Sequence, residues 1–407
     1  MTKRRSKGTR SLLEEMGDLG SLAESTAEIT GGSVKVVSIV LDRIRPDPAQ
    51  PRRVLPESIR REFLAGHINP RQALERWEAM VAEEAARLGR PRPDWQALLE
   101  RNPDDRAEDK MTVDAPGQPG PEEEALRSIV ATAATILHGG QVSPITVSET
   151  DNGSYYRIET GERRYWAHHW LNMWLPNGFE QIQCLVVDHA SPWRQAAENA
   201  SREELSAMAL ARQVATLLLD LYDIHPDYSM SIPNDWYRQA LNYRVPRGEG
   251  AALRAALGGI ERSQFHRLQA LLALPDLVWE LADRYRLEEK RLRYVLKVQD
   301  EALQVQLVRM IVERNLSAER VQRLVESGEL TSLFAGYDWS SERDSGEDIL
   351  SERVANRWFS LAKQVPRADL KMVADEWLRR QTPEEIREQV AALRRLLDLV
   401  EERVQQE

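Results

Sequence analysis

Hydrophobic and polar positions along this chain of 407 residues follow two regimes. Up to about residue 190, short alternating runs are interleaved with helical ones. "VKVVSIVLDRI" (Val34–Ile44) alternates and is β-branched, which predicts a strand. "RPDPAQPRR" follows, with three prolines and no helical option. Residues Pro56–Leu99 hold two or three helical patterns, and a further helix is predicted over Glu124–Leu137. The strand "SPITVSE", a hairpin turn at Asp151-Asn152-Gly153 and a return strand "YYRIE" come next. That return strand breaks at Gly161, and "GERRYWAHHWL" opens an amphipathic helix. The apolar run "IQCLVVD" reads as the last strand. The order strand, helices, strand, strand, helix, strand predicts a small α+β domain. From about Ser191 the spacing is helical almost throughout, so the fold expected is α+β first, all-α afterwards, and predominantly α.

Composition divides the chain further. Residues 1–33 are polar and basic at the front, and read as a flexible arm with one short helix near Ser11–Met16. The α+β domain then occupies 34–190, a helical domain 191–331, a linker 332–348 and a helical C-terminal domain 349–407. Within the first domain, Arg101–Glu124 has the composition of a linker. No apolar run approaches the length of a membrane span, and the N-terminus lacks the apolar core of a secretory signal. Cys184 is the single cysteine and sits in a predicted strand, which fits a reducing, cytoplasmic setting. Net charge is −10, yet the middle of the chain is basic. Residues 242–272 carry five arginines against two glutamates, and 283–297 carry six bases against three acids. Such a window matters more for a polyanionic partner than the average does.

Three stretches carry chemistry. In the first, Gly161-Glu162-Arg163-Arg164 falls where a strand hands over to a helix, whose N-terminal N–H groups and dipole attract anions. Two arginines there suit a phosphate clamp, or else a solvated surface turn. The second, "EGAALRAALGGIERSQFHRLQALLALP" (Glu249–Pro275), has a small residue at Ala255, Gly259 at a turn, Ile260 after it, and Phe265 and Leu268 inward on the following helix. That is helix–turn–helix spacing. Arg262, Ser263, Gln264, His266, Arg267 and Gln269 then lie on the more exposed faces, where arginine and glutamine read base edges in the major groove. An ordinary helical hairpin is the other reading. The third, "ENASREEL" (Glu198–Leu205), offers Glu198 and Asn199 as oxygen ligands for a divalent cation and Arg202 for a phosphate, or else an exposed helix with Glu–Arg pairing. His168 and His169 are adjacent and cannot face one metal together, while Trp166, Trp170 and Trp174 step by four as a packing stripe. "TPEEIREQVAALRRLLDLVEERV" opens with a capping Thr382 and Pro383. Ile386, Val390, Leu393, Leu397, Val400 and Val404 then form a heptad seam, for a dimeric coiled coil or for packing within a bundle.

Taken in order, these stretches resemble the ParB partition proteins. "IRPDPAQPRR" is similar to their first box, "GGQVSPITV" to the strand entry, and "GERRYWA" to Gly-Glu-Arg-Arg-x-x-Ala. "ENASREEL" is similar to the Glu-Asn-x-x-Arg-Glu-x-Leu box, and "RSQFHRLQALLALPDLV" to the recognition helix and its Leu-Pro step. The resemblance covers roughly 34–56 and 122–325. It implies a ParB/sulfiredoxin-like first domain that binds CTP with magnesium, and a helix–turn–helix that binds double-stranded DNA at a centromere-like palindrome. It also implies a homodimeric clamp that slow CTP hydrolysis reopens, associated with nucleoid or plasmid in the cytoplasm. Gln50, Arg52, Gly161, Glu162, Arg163, Arg164, Glu198, Asn199 and Arg202 are the implied nucleotide residues, with Glu198 and Asn199 placing the metal. Lys3, Arg4, Arg5, Lys7 and Arg10 of the arm would stimulate a ParA-type ATPase or touch DNA loosely. Two departures stand out: an insertion at about 57–121, expected to dock a partner or lie inert on the surface, and an unusual C-terminal part. Two alternatives remain: a ParB-like transcription or nucleoid regulator without a ParA partner, and a small-molecule kinase of the same fold. A sulfiredoxin carries a cysteine where this chain has Glu162, which argues against that chemistry.

Overall fold

The computed structural model describes residues 36–100, 119–150, 153–175, 178–202, 205–228, 232–328 and 330, and residue 394. The arm at 1–33, the linker at 332–348 and the heptad seam lie outside the described residues, as do the side chains of Ser201 and Arg202. The chain divides into two compact units, Met1–Asp348 and Ile349–Glu407, and the first of them holds two hydrophobic cores.

The predicted first strand divides. β1 (Val36–Val40) ends in a single 3-10 turn at Leu41–Arg43, and β2 (Ile44–Arg45) follows at once. With β3 (Ile145–Glu149), β4 (Tyr156–Thr160) and β5 (Gln181–Val187) these make one five-stranded sheet in the order β1-β5-β3-β4-β2. β1 and β2 therefore form opposite edges although only three residues separate them. Those residues reach at most about 14 Å, whereas a flat five-stranded sheet is about 19 Å wide. The sheet must curl until its two edges approach. The β3–β4 pair is the antiparallel hairpin expected, while β3 and β5 run parallel.

Helices fill the curl. α1 (Glu57–Leu64), α2 (Pro70–Arg87) and α3 (Trp95–Glu100) come from the inserted segment. α2 begins with a capping box between Asn69 and Gln72 and proline at its first position. α4 (Pro121–Gly139) and α5 (Glu162–Trp174) pack on the sheet. The described helices of the insertion are not an inert surface appendage. Ile59, Leu74, Trp77, Val81, Trp95 and Leu99 are buried in the same core as Ile145, Ile158 and Trp166. Phe63 and Trp95 meet Trp166 and Trp170 edge-on at 5.2 and 5.7 Å. Trp166 and Trp170 are fully buried, whereas Trp174, the last of the predicted stripe, is 40 % exposed.

The second core is all-helical, built from α6 (Pro192–Arg202), α7 (Ala207–Asp220), α8 (Asn234–Arg238), α9 (Gly250–Ala256), α10 (Arg262–Leu271), α11 (Asp276–Arg284), α12 (Glu289–Val295), α13 (Glu301–Glu313) and α14 (Ala318–Glu326). α7 lies at its centre, with twelve buried residues. Side-chain oxygens of Ser206, Asp300 and Ser317 cap α7, α13 and α14. No helix among the described residues is long and apolar enough to cross a membrane.

Candidate nucleotide pocket and DNA-facing helix

The β4–α5 junction is built on a glycine. Gly161 caps α5 with φ 94°, and a Cβ there would lie 2.7 Å from Cγ2 of Ile145 on the neighbouring strand. Only glycine combines that left-handed backbone with so close an approach. The turn aims the first residues of α5 into a cavity of about 340 Å³, a volume within the small-molecule range.

Eight of the nine residues expected at a nucleotide line this one cavity: Gln50, Arg52, Gly161, Glu162, Arg163, Arg164, Glu198 and Asn199. They come from three separate segments, namely the loop after β2, the start of α5, and α6. The ninth, Arg202, lies on α6 with its side chain outside the described residues. The two arginines have different tasks. Nη1 of Arg164 donates to the carbonyls of Ser143 and Pro144, at 2.7 and 2.6 Å, and fixes the loop that enters β3. Arg163 donates to Ser128 Oγ of α4 at 3.1 Å. The loop-fixing arginine thus works through these two carbonyls.

Glu162 sits at the pocket wall and accepts a hydrogen bond from Trp166 Nε1 at 3.0 Å. Burial pushes its carboxyl up to about 7, against the lowering effect of that hydrogen bond and of Arg60. Asp47, whose side chain accepts from the Ala49 N–H, is likewise raised by burial to about 6. On the α6 side, Asn199 donates through Nδ2 to Gln213 Oε1 at 3.0 Å. With the nitrogen so committed, its carbonyl oxygen and the Glu198 carboxylate are the hard oxygen donors that side presents.

Sequence reasoning missed several residues. Glu159 is 2 % exposed and receives Arg194 through both carboxylate oxygens, at 2.5 and 2.7 Å. Its backbone carbonyl accepts from Gln50 and from Gln195, which joins the first-box loop and α6 to β4. Thr132 and Val54 complete the wall. His168 and His169 are held neutral, with burial lowering them to about 4 and 3. Among the described residues no group of three metal-capable side chains occurs.

In the helical half, α9 and α10 are joined by Gly258 and Gly259, both at φ 79°. The small residue facing the core is Ala256 at 1 % exposure, one position after the expected Ala255, which is exposed. Phe265 and Leu268 are buried, and α10 packs on α7. Arg262, Ser263 and His266 face solvent, with Gln264 half-buried beside them. Two expected readers are engaged within the fold. Gln269 Nε2 donates to the carbonyls of Ala240 and Tyr243 at 2.8 and 3.1 Å, and Arg267 pairs with Glu289 of α12 at 3.3 Å. The Gln269 amide nitrogen is therefore spent on holding α10 against the preceding turn.

An α+β domain with a polar, arginine-lined pocket is thus followed by a helix–turn–helix. Residues 254–329 match the family model described as ParB HTH domain. The chain is 27 % identical over 204 residues to the nucleoid occlusion protein of Bacillus subtilis, covering 48 % of this chain and 61 % of that one. Against the nucleoid occlusion protein of Geobacillus thermodenitrificans it is 28 % identical, covering 49 % and 62 %. The chain thus spans about three-fifths of the length of these relatives. Among solved structures, a C-terminally truncated chromosome-partitioning protein ParB from Caulobacter crescentus, complexed to the centromeric parS site, aligns at a TM-score of 0.28 and 16 % identity, covering 72 % of this chain and 99 % of that one. The same protein complexed with CTP-γ-S aligns at 0.20 and 17 %, covering 68 % and 99 %.

Proposed function

We propose that this chain is a nucleotide-gated DNA-binding protein of the partition and nucleoid-occlusion type. Its ligand is CTP with magnesium, held in the cavity at the start of α5, and α10 reads double-stranded DNA. The observation that supports this best is the convergence of three distant segments on one cavity. Gln50 and Arg52 meet Arg163 and Arg164 across from Glu198 and Asn199. Phosphates and a cation would join these walls, so occupancy would shift an equilibrium between two arrangements. Glu198 and Asn199 would hold the magnesium, which would neutralise part of the phosphate charge. Homodimer formation, slow hydrolysis and a ParA-type partner for the arm belong to the same proposal. The likeness to nucleoid occlusion proteins supports a second reading, a ParB-like nucleoid regulator without a ParA partner.

Equilibrium binding of CTP, ATP, GTP and UTP with magnesium tests the reading, on the wild type, Arg163→Ala and Asn199→Ala. CTP-selective binding, weakened at least tenfold by either change, is expected. A wild type that binds no nucleotide leaves a plain helix–turn–helix protein and overturns the gated part of the proposal.

A further inference from the structure

Two adjacent residues of α7 touch both walls of the pocket. Arg212 is fully buried, and its Nε donates to the Pro51 carbonyl at 2.8 Å, within the loop that carries Gln50 and Arg52. Gln213, 1 % exposed, accepts from Asn199 on α6. Nη2 of Arg212 also lies 2.6 Å from Asp283 Oδ2 on α11, and its guanidinium stands 5.9 Å from the Trp279 ring centroid. Asp283 in turn accepts from Ser206 Oγ, the cap of α7. α10 packs on α7 and leads directly into α11. One helix therefore carries contacts to the first-box loop, to α6 and to the DNA-facing helix.

These contacts are incomplete in this state. Arg212 Nη1 and Gln213 Nε2 are buried without a hydrogen-bond partner among the described residues. A buried donor left unmade is costly, so it favours any rearrangement that supplies an acceptor. A charged arginine in "AMALARQVATLLLD" is moreover out of keeping with a helix whose other buried residues are apolar except for Gln213 and Thr216. Packing alone would have been served by methionine or leucine at that position.

We infer that Arg212 and Gln213 are positioning residues that transmit occupancy of the pocket to α10, by exchanging their contacts with Pro51 and Asn199 when the walls close. This rests on the nucleotide reading and adds to it the route by which the two halves communicate. The buried ion pair acts as a bistable element, because its partners sit on either side of the interface between loop, α7 and α11.

The test uses the full chain with CTP and magnesium as the probe, and reads hydrogen exchange of the amides of residues 262–271 with and without nucleotide. The variants are Gln213→Leu and the double change Arg212→Met/Asp283→Asn, which removes the ion pair as a unit and leaves no buried charge. Cooperative thermal unfolding and a nucleotide dissociation constant within about fivefold of wild type show that each variant still folds and binds, on the scale of one hydrogen bond. In the wild type, nucleotide is expected to change exchange across α10. In both variants that change should fall at least threefold, although nucleotide is still bound. A variant that binds nucleotide and keeps the full response on α10 overturns the inference, as does a wild type whose α10 is insensitive to bound nucleotide. A wild type that binds no nucleotide overturns the functional reading itself, and is recognised by the binding measurement before any exchange is read. If the double change unfolds the chain, Gln213→Leu decides.

Discussion

Replacing Gly161 by alanine probes whether the Gly-Glu-Arg-Arg motif begins with glycine for the ligand or for the backbone. Two costs follow from the geometry. At φ 94° an L-residue pays about 1–2 kcal/mol for the left-handed conformation. The new methyl would sit 2.7 Å from Ile145 Cγ2 and 3.3 Å from its Cα, which is backbone and yields little. Overpacking of this kind costs about 1–3 kcal/mol. The sum, about 2–5 kcal/mol, is a large part of the usual 5–15 kcal/mol of a domain. Urea unfolding without nucleotide, followed by tryptophan emission, is the assay, since Trp166 and Trp170 lie on the helix that Gly161 starts. Ile145→Ala supplies the second arm of a double-mutant cycle. In that background the 2.7 Å contact with Cγ2 disappears while those with Cβ at 3.1 Å and Cα at 3.3 Å stay, so Gly161→Ala should cost the backbone part and a remnant of the packing part, and a coupling of about 1–2 kcal/mol is expected. An equal cost in both backgrounds would refute the contact argument. No cost in either would refute the need for a left-handed residue, and would return the glycine to a role in approaching phosphate.

Three further outcomes are expected. Trp77→Ala, in the inserted α2, should destabilise the first core by about 3–5 kcal/mol, since that ring is fully buried. An insertion that truncates to wild-type stability in the same urea assay would contradict the packing described. For Glu162 the sign runs against the common carboxylate case. Its folded value of about 7 lies above the ordinary 4.5, so the folded state holds the proton more tightly. Stability from this group is present below about pH 4.5 and is lost as pH rises through about 7. Glu162→Gln should flatten that fall, and should also remove a decline in triphosphate affinity between about pH 6 and 8, measured by calorimetry. On α10, Arg262→Ala should weaken DNA binding by about 1–3 kcal/mol with unfolding unchanged. Gln269→Ala should instead lower stability by about 1–2 kcal/mol, because its amide holds the carbonyls of Ala240 and Tyr243.

The strands at 145–149 and 156–160, the glycine-marked junction at 161 and the inward Phe265 and Leu268 were all legible from period and turn chemistry. These are local signals. The curl of the sheet was not, because "VKVVSIVLDRI" alternates through a point where the chain changes partner from β5 to β4, and alternation records faces but not partners. The inserted helices were found as helices, yet their burial depended on the sheet leaving room for Trp77 and Trp95. Arg212 illustrates the opposite failure. A lone charge in "AMALARQVATLLLD" was visible, but its acceptor is a carbonyl 161 positions earlier in the sequence. Glu159 is similar: nothing in "YYRIE" marks the glutamate whose carboxylate Arg194 grips. The pocket's first layer could be read from the sequence because it lies in contiguous motifs, and the layer behind it could not because its pairs are long-range.

That second layer explains how the wall at residues 47–53 is ordered. The loop has no ladder of backbone hydrogen bonds along it, so side chains hold it in place. Gln50 donates to the Glu159 carbonyl, Arg60 of α1 to the Pro48 carbonyl, Arg212 of α7 to the Pro51 carbonyl, and Arg53 to Glu57 and Asn234. Three of these four are guanidinium groups, and burial lowers both Arg60 and Arg212 from the usual arginine value. A buried guanidinium repays its desolvation only while well-aligned acceptors surround it. The same group presents five donors in a fork, so it can trade one carbonyl for another without leaving its place. A loop held by such forks is fixed by side chains rather than by a strand. The inserted α1 supplies one fork and α7 of the helical half supplies another. The wall of the pocket is thus the place where the two cores of this unit, and the insertion, are all tied to the same short loop.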